Sequence, residues 1–309
     1  MEAILTAKDL NVTFHTRYGA IRASQNVSFS LYPNEIFVLV GETGSGKSVI
    51  GQAILHLLPQ SAEVSGSVQF MGEEILFLDE EAFSHYRGHK IALIPQNPSG
   101  SLNPLMRNGD QIGEVMKMQK NARVREIRRL LTLLRFEEPD RVAQSYPHSL
   151  SGGMRQRLTT GIAIASQPLV LIADEPTKGL DFAARRVTME VFSELKRAYK
   201  TSILLITHDL DLAGLIGDRI GVMYSGEMVE SGRCEDVLAH PLHPYTRGLL
   251  RALPRNGMVP MQGSAPALEN LPEGCYFHGR CDRHCETGLL CHPEWIIRNG
   301  RGIRCHQNS

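Results

Sequence analysis

The sequence predicts an α/β fold built on a largely parallel sheet, and three observations carry that reading. Short apolar runs alternate with segments whose apolar residues recur every three or four positions. A glycine-rich loop, "GETGSGKS" (Gly41–Ser48), stands between one apolar run and one helical segment. The alternation stops near Cys234, where proline-rich coil and a cysteine-rich tail follow.

Taken in order, residues 3–14 and 21–32 are partly alternating segments around "RYGA", which suits an antiparallel pair. "EIFVLV" (Glu35–Val40) has the continuous apolar character of a buried strand. The segment "VIGQAILHLL" after the glycine loop is spaced as a helix. "KIALIPQNP" (Lys90–Pro98) reads as a short strand running into prolines, with Gln96 at its end. Helical spacing dominates from Gly109 to Leu134. "MRQRLTTGIAIASQ" is a helix stopped by Pro168, and "LVLIADEP" is a buried strand. Asp181–Tyr199 is helical, "SILLITHD" is a strand, and "RIGVMYSGEMVESG" is a strand pair around Ser-Gly. "HPLHPYTRGLLRALP" is a short helix between prolines.

Lys+Arg and Asp+Glu both number 33, so the 309-residue chain has no net charge. That speaks against a duplex-binding protein, which carries a basic excess. No stretch reaches the ~20 apolar residues that span a bilayer. The acidic and basic residues of "MEAILTAKDLNVTF" do not fit a signal peptide. The expectation is a cytoplasmic chain that does not itself cross the membrane. Five of the six cysteines fall between Cys275 and Cys305, and none precedes Cys234. In a reducing compartment such clustering points to a metal or cluster site before a disulfide framework.

The chemistry is written most plainly in Gly41-x4-Gly46-Lys47-Ser48. Glycines let the backbone wrap phosphate oxygens, Lys47 reaches the β- and γ-phosphates, and Ser48 can ligate Mg²⁺. Asp174 and Glu175 close the strand "LVLIAD", at the strand end where α/β sheets bind ligands. Asp174 suits the Mg²⁺ shell and Glu175 suits polarisation of an attacking water. Gln96 is placed for the metal or the water, and His208 for a γ-phosphate. "LSGGMRQR" (Leu150–Arg157) is a second anion-facing helix start.

In order along the chain, "GETGSGKS", "PQNP", "LSGGMRQR", "LIADEPTKGLD" and "LITHD" resemble the motifs of the ATP-binding-cassette (ABC) ATPases over roughly residues 3–232. The resemblance implies a RecA-like P-loop NTPase core with an antiparallel β subdomain, an α-helical insertion subdomain and a small Cys-rich C-terminal extension. It divides the chain into a core of 1–96 with 159–233, a helical subdomain of 97–158 and an extension of 234–309. It implies ATP contacts from Gly41, Glu42, Thr43, Gly44, Ser45, Gly46, Lys47, Ser48 and Val49, with Tyr18 stacked on adenine and Phe14 second in line. Mg²⁺ would be held by Ser48, Gln96 and Asp174, and catalysis would involve Glu175, His208 and Gln96. In this family two cassettes pack head to tail. Ser151, Gly152 and Gly153 would therefore serve a partner's nucleotide, with Asp181 at the dimer interface. Met154 and the Lys178-Gly179 pair depart from the usual residues at their positions.

"NPSGSLNPLMRNGDQIGE", "HPLHPYTRGLLRALP" and "LPEGCYFHGRC" resemble the ATPases of peptide and nickel importers. The partners so implied are a second homologous ATPase, identical or not, two membrane permeases and, indirectly, an extracellular solute-binding protein. No nucleic acid is implied, and the place is the cytoplasmic face of the inner membrane. The resemblance also implies a tail that can carry a [4Fe–4S] cluster on Cys275, Cys281, Cys305 and either Cys285 or Cys291. Zn²⁺ with His278, His284, His292 or His306 is an alternative ligand set, and free thiols are another. The rival function is a soluble ABC ATPase of DNA repair, translation or regulation, without coupling to transport.

Overall fold

The computed structural model describes residues 2–17 and 19–308. Tyr18, the candidate for the adenine stack, lies outside the described residues. Compactness divides the chain into one unit of residues 1–77 with 206–309 and another of residues 78–205. That cut differs from the division drawn from the motifs.

The first unit opens with β1 (Leu5–Thr16) and β2 (Gly19–Leu31), paired antiparallel as expected. Leu5, Leu10, Val12, Val27 and Leu31 are fully buried, which is what drives one face of such a pair into a core. Phe14 pairs with Ile21 and Ala62 and is half-buried. β3 (Ile36–Val40) is buried along its whole length, as a strand covered on both faces must be. After α1 (Lys47–Ile54), strands β4 (Ala62–Phe70) and β5 (Glu73–Glu74) complete a sheet ordered β2-β1-β4-β5.

The second unit begins with α2 (Glu80–Ser84), whose first turn is capped by the Asp79 carboxylate accepting from Ala82 N–H at 2.8 Å. β6 (Ile91–Ile94) stops before Gln96, because Pro95 has no N–H to offer the ladder. The helical segment comprises α3 (Pro98–Ser101), α4 (Asn108–Glu114), α5 (Lys120–Leu133) and α6 (Pro139–Gln144). Asn108 is fully buried and donates from Nδ2 to Val142 O and Ser145 Oγ, both at 3.0 Å, tying α4 to the end of α6. α7 (Gly152–Ile164), β7 (Val170–Asp174), α8 (Phe182–Tyr199) and β8 (Ser202–Thr207) follow. The strand order is β8-β7-β6, with β6 and β7 parallel.

The chain then returns to the first unit through α9 (Leu210–Ile216), β9 (Arg219–Tyr224) and β10 (Glu227–Arg233). Ser225 (φ 46°) and Gly226 (φ 88°) are both left-handed, the geometry that closes a tight hairpin. β9 runs parallel to β3. α10 (Cys234–Ala239) and α11 (Pro244–Arg251) lead through coil to α12 (Thr287–Leu290), β11 (Ile296–Arg298) and β12 (Arg301–Ile303). The tail, which shows no strand pattern in sequence, thus adds two strands in the order β11-β12-β10-β9-β3. Among the described residues, no helix is long and apolar enough to cross a membrane.

Buried charge fastens the tail. Glu230 is fully buried on β10 and accepts from Leu242 N–H (2.8 Å), His243 N–H (2.9 Å) and Arg301 Nη2 (2.6 Å). Glu227 meets His292 Nε2 at 2.8 Å and Arg304 Nε at 3.3 Å. For His292, burial lowers the imidazole value but is outweighed by the hydrogen bond and attraction of Glu227 and by the Gly274 carbonyl, so the net shift is upward. Arg304 opposes it weakly, and the Tyr276 ring lies 4.4 Å away. A raised folded-state value contributes stability below the free imidazole value of about 6.5 and loses it as pH climbs through the folded value. Protection factors of the tail amides, which correct for the intrinsic base-catalysed rate, should therefore fall as pH rises above the free imidazole value of about 6.5, and His292→Gln should flatten that dependence. An unchanged profile in the variant would show that this contact does not govern the tail.

Candidate functional site

The phosphate-loop candidate rises directly from the end of β3. Gly44 (φ 84°) and Gly46 (φ 95°) take left-handed conformations. A Cβ on Gly46 would lie 2.1 Å from the Ala23 carbonyl oxygen, and one on Gly41 would lie 2.2 Å from that of Met223. Neither contact is possible for a real side chain, so β2 and β9 press backbone to backbone against the loop. Gly46 is also the cap of α1 and has no side chain to accept its first-turn N–H groups. Such a helix start favours anions. Lys47 is buried, and its Nζ donates to the carbonyls of Gly41 and Glu42, each at 2.8 Å. Thr43 and Gly44 are exposed at the crest of the turn, and Ser48 and Val49 are half-buried on α1.

The loop has a second set of supports that sequence reasoning did not single out. Gly226 N–H donates to Ser45 O at 3.1 Å. Tyr245 Oη, from α11, accepts from Glu42 N–H at 2.8 Å. Arg280 donates to both Glu42 carboxylate oxygens, at 2.8 and 2.9 Å. Tyr224, Tyr245 and Phe277 pack beneath, with ring centroids 4.7 to 5.5 Å apart. Burial pushes both the Tyr224 and Tyr245 phenols upward, so each remains protonated. Arg280 adjoins Cys281 in "FHGRC", where a sequence reading attends to the thiol. Also in the first unit, His208 is exposed just past β8. Its neighbour Asp209 caps α9, accepting from Asp211 and Leu212 N–H at 3.0 Å.

The second unit holds the remaining nucleotide motifs. Asp174 closes β7, and both Asp174 and Glu175 are buried. Glu175 has φ 49°, which costs a non-glycine residue on the order of 1 kcal/mol. The turn that imposes it is closed by Lys178 N–H to Glu175 O at 3.1 Å. Strain of this kind collects where a side chain must be aimed. Gln96 is exposed beyond β6. Ser151 caps α7, its Oγ accepting from Met154 N–H at 3.3 Å. A Cβ on Gly153 would meet the Ala184 methyl at 3.1 Å, whereas one on Gly152 would meet nothing within 4 Å among the described residues. Asp181 caps α8, accepting from Ala184 N–H at 2.8 Å. The Ser48 hydroxyl and Asp174 carboxylate are oxygen donors of the kind Mg²⁺ takes.

In the tail, Cys275, Cys281, Cys285 and Cys305 line one cavity of about 30 Å³ together with His278, His284 and His306. Cys291 is exposed and not in that lining; its carbonyl accepts from His306 Nε2 at 2.9 Å. His278 Nε2 is buried there without a hydrogen-bond partner among the described residues. Burial pushes the Cys275 thiol up to about 11 and raises that of Cys281. Among the described residues, no group of three or more His, Cys, Asp or Glu is arranged to hold a metal ion as it stands. Cys234 lies apart, buried, its thiol pushed up to about 12 by that burial. It lines a larger cavity of about 820 Å³ with Glu35, Asp218 and Arg219. That cavity lies at the start of β3, the opposite end from the phosphate loop, since Asp218 accepts from Ile36 N–H at 2.7 Å.

A family model described as ABC transporter matches residues 24–178, and one described as oligopeptide/dipeptide transporter, C-terminal region, matches residues 229–287. The chain is 41% identical over 310 residues to the dipeptide transport ATP-binding protein DppD of Bacillus subtilis (strain 168), covering 97% of this chain and 92% of that one. It is 41% identical over 313 residues to the oligopeptide transport ATP-binding protein OppD of Escherichia coli (strain K12), covering 98% and 93%. The dimeric structure of MJ0796, a bacterial ABC transporter cassette, is similar with a TM-score of 0.67 and 26% identity, over 74% of this chain and 98% of that one. A post-hydrolysis state of the same cassette bound to ADP and Pi gives the same values. Matched by both models in the order its motifs dictate, and by relatives over nearly its full length, the chain belongs to the ABC transporter ATPases, in the branch that carries the oligopeptide/dipeptide C-terminal region.

Proposed function

We propose that the chain is one of two ATPase subunits that power uptake of peptides through a pair of membrane permeases, at the cytoplasmic face of the membrane. The observation that carries this reading is the joining of a cassette to the C-terminal region of peptide transporters in one chain, in register with relatives named for dipeptide and oligopeptide transport. Those names favour peptides over nickel as the cargo. Exposed apolar residues in the helical segment, among them Leu105, Met118 and Val124, support its use as a grip on a permease.

Lys47 and the N–H groups at the start of α1 bind the β- and γ-phosphates. Ser48, Asp174 and Gln96 would hold Mg²⁺, which would supply neutralisation of phosphate charge. Glu175 orients the attacking water and accepts its proton, and His208 hydrogen-bonds the γ-phosphate. Ser151, Gly152 and Gly153 close over the nucleotide of the second subunit, as the dimeric form of MJ0796 suggests. Gly152 supports that role: among the described residues, none lies within 4 Å of where its Cβ would stand. Asp181, already spent on the cap of α8, presents the start of that helix to the interface.

The tail thiols are read as cluster ligands. Four cysteines round one cavity are the donor set of a [4Fe–4S] centre, and the cavity favours Cys285 over Cys291 as the fourth. Seating a cluster requires the thiols to spread and to lose their protons.

Glu175→Gln should still bind MgATP, lose at least about a hundredfold in hydrolysis, and abolish uptake of a labelled dipeptide by the assembled transporter. Uptake at the normal rate would refute the assignment. Gly152→Ala should melt at or slightly above the normal temperature, since Ala is the better helix former, yet fail to hydrolyse ATP; retained hydrolysis would remove Gly152 from the site. Anaerobically purified protein should contain iron and acid-labile sulfide in equal amounts, both lost in Cys281→Ser. Zinc without sulfide would replace the cluster by the metal-ion reading.

A further inference from the structure

The C-terminal segment touches the phosphate loop through one charged side chain. Arg280 is only 8% exposed, and its guanidinium lies 5.7 Å from the Tyr224 ring and 6.0 Å from the Phe277 ring. Its one ion-pair partner among the described residues is Glu42, the second residue of the loop. The neighbouring acid, Asp282, is engaged by Arg251. Both Glu42 oxygens receive a bond of normal length, so the fork fixes the carboxylate in orientation as well as in charge. Glu42 stands where phosphate must come, because Lys47 reaches its carbonyl at 2.8 Å. A loose carboxylate at that point would repel a triphosphate.

We propose that Arg280 is a positioning residue for nucleotide: it neutralises and pins the Glu42 carboxylate, so that this loop residue offers Lys47 its carbonyl without opposing the phosphates. Tyr245 completes the hold by accepting the Glu42 N–H. The tail is thereby part of the nucleotide site, through a residue that itself touches no nucleotide. The inference rests on the reading of Gly41–Ser48 as the ATP site.

The test is calorimetric titration of the full chain with MgATP and with MgADP, in a Glu175→Gln background so that ATP survives. Arg280→Met should weaken MgATP binding by about tenfold and MgADP binding by less, because the extra phosphate carries the extra charge. The double variant Glu42→Gln/Arg280→Met should recover MgATP affinity to within about threefold of the parent, since the unneutralised charge is gone. A merely structural tie predicts equal losses for both nucleotides and no recovery; that result, or unchanged MgATP binding in Arg280→Met, overturns the proposal. Should Arg280→Met fail to fold, Arg280→Gln carries the same comparison, with Glu42→Gln/Arg280→Gln as its double variant. Equal losses for both nucleotides without recovery, or unchanged MgATP binding in Arg280→Gln, overturn the proposal. Lys47→Ala separates the two levels of the argument: if it binds MgATP like the parent, the loop reading fails and takes the proposal with it.

Discussion

The nucleotide-binding half of this protein depends on one steric constraint, the contact of the glycines of the phosphate loop with the carbonyls of Ala23 and Met223. Two strands must run close enough to leave no room for a methyl group. That closeness is secured by the burial of β3 on both faces and by its parallel pairing with β9. With the backbone so confined, the loop turns sharply at Gly44 and Gly46, and α1 starts with an unfilled cap. Lys47 crosses the loop to the carbonyls of Gly41 and Glu42. The path of the phosphate loop thus follows from strand packing, and two side chains of the C-terminal segment, Tyr245 and Arg280, fix Glu42 upon it.

The signature glycines obey a different logic. Gly153 is hemmed in by Ala184 of its own unit, while Gly152 faces open space. Two adjacent residues of one type therefore differ in what holds them: packing against Ala184 constrains Gly153, and no neighbour among the described residues constrains Gly152. Glu175 is likewise constrained locally, held in a left-handed conformation by the turn that Lys178 N–H closes onto its carbonyl.

Much of this was legible in the sequence because it is local. The strand–loop–helix order, the helix start at "LSGGMRQR" and the hairpin at Ser225-Gly226 all follow from residues within a few positions of one another. The end of β6 at Ile94 was less so, since Pro95 truncates a run that reads as continuing to Gln96. The two strands of the tail were not legible: each is three residues long, too short to show a period. Nor were the contacts of Tyr245 and Arg280 with Glu42, which join residues some two hundred positions apart. Spacing carries no trace of such pairs, and Arg280 is masked further by the cysteine beside it. The thiols fall between these cases. Their clustering is plain in the sequence, whereas the lining of one cavity by Cys285 and not by Cys291 is visible only in the structure.

The fully buried Glu230, answered by Arg301 near the far end of the chain, has a consequence for biogenesis. A chain emerging from the ribosome exposes β10 long before Arg301 is translated, so this carboxylate must wait in water or be sequestered with its charge unmet. The sheet edge at β10 likewise waits for β12. Final consolidation of the first unit therefore waits until Arg301 and β12 have left the ribosome. A nascent chain stalled before Arg301 would lack the partner of a fully buried carboxylate on β10.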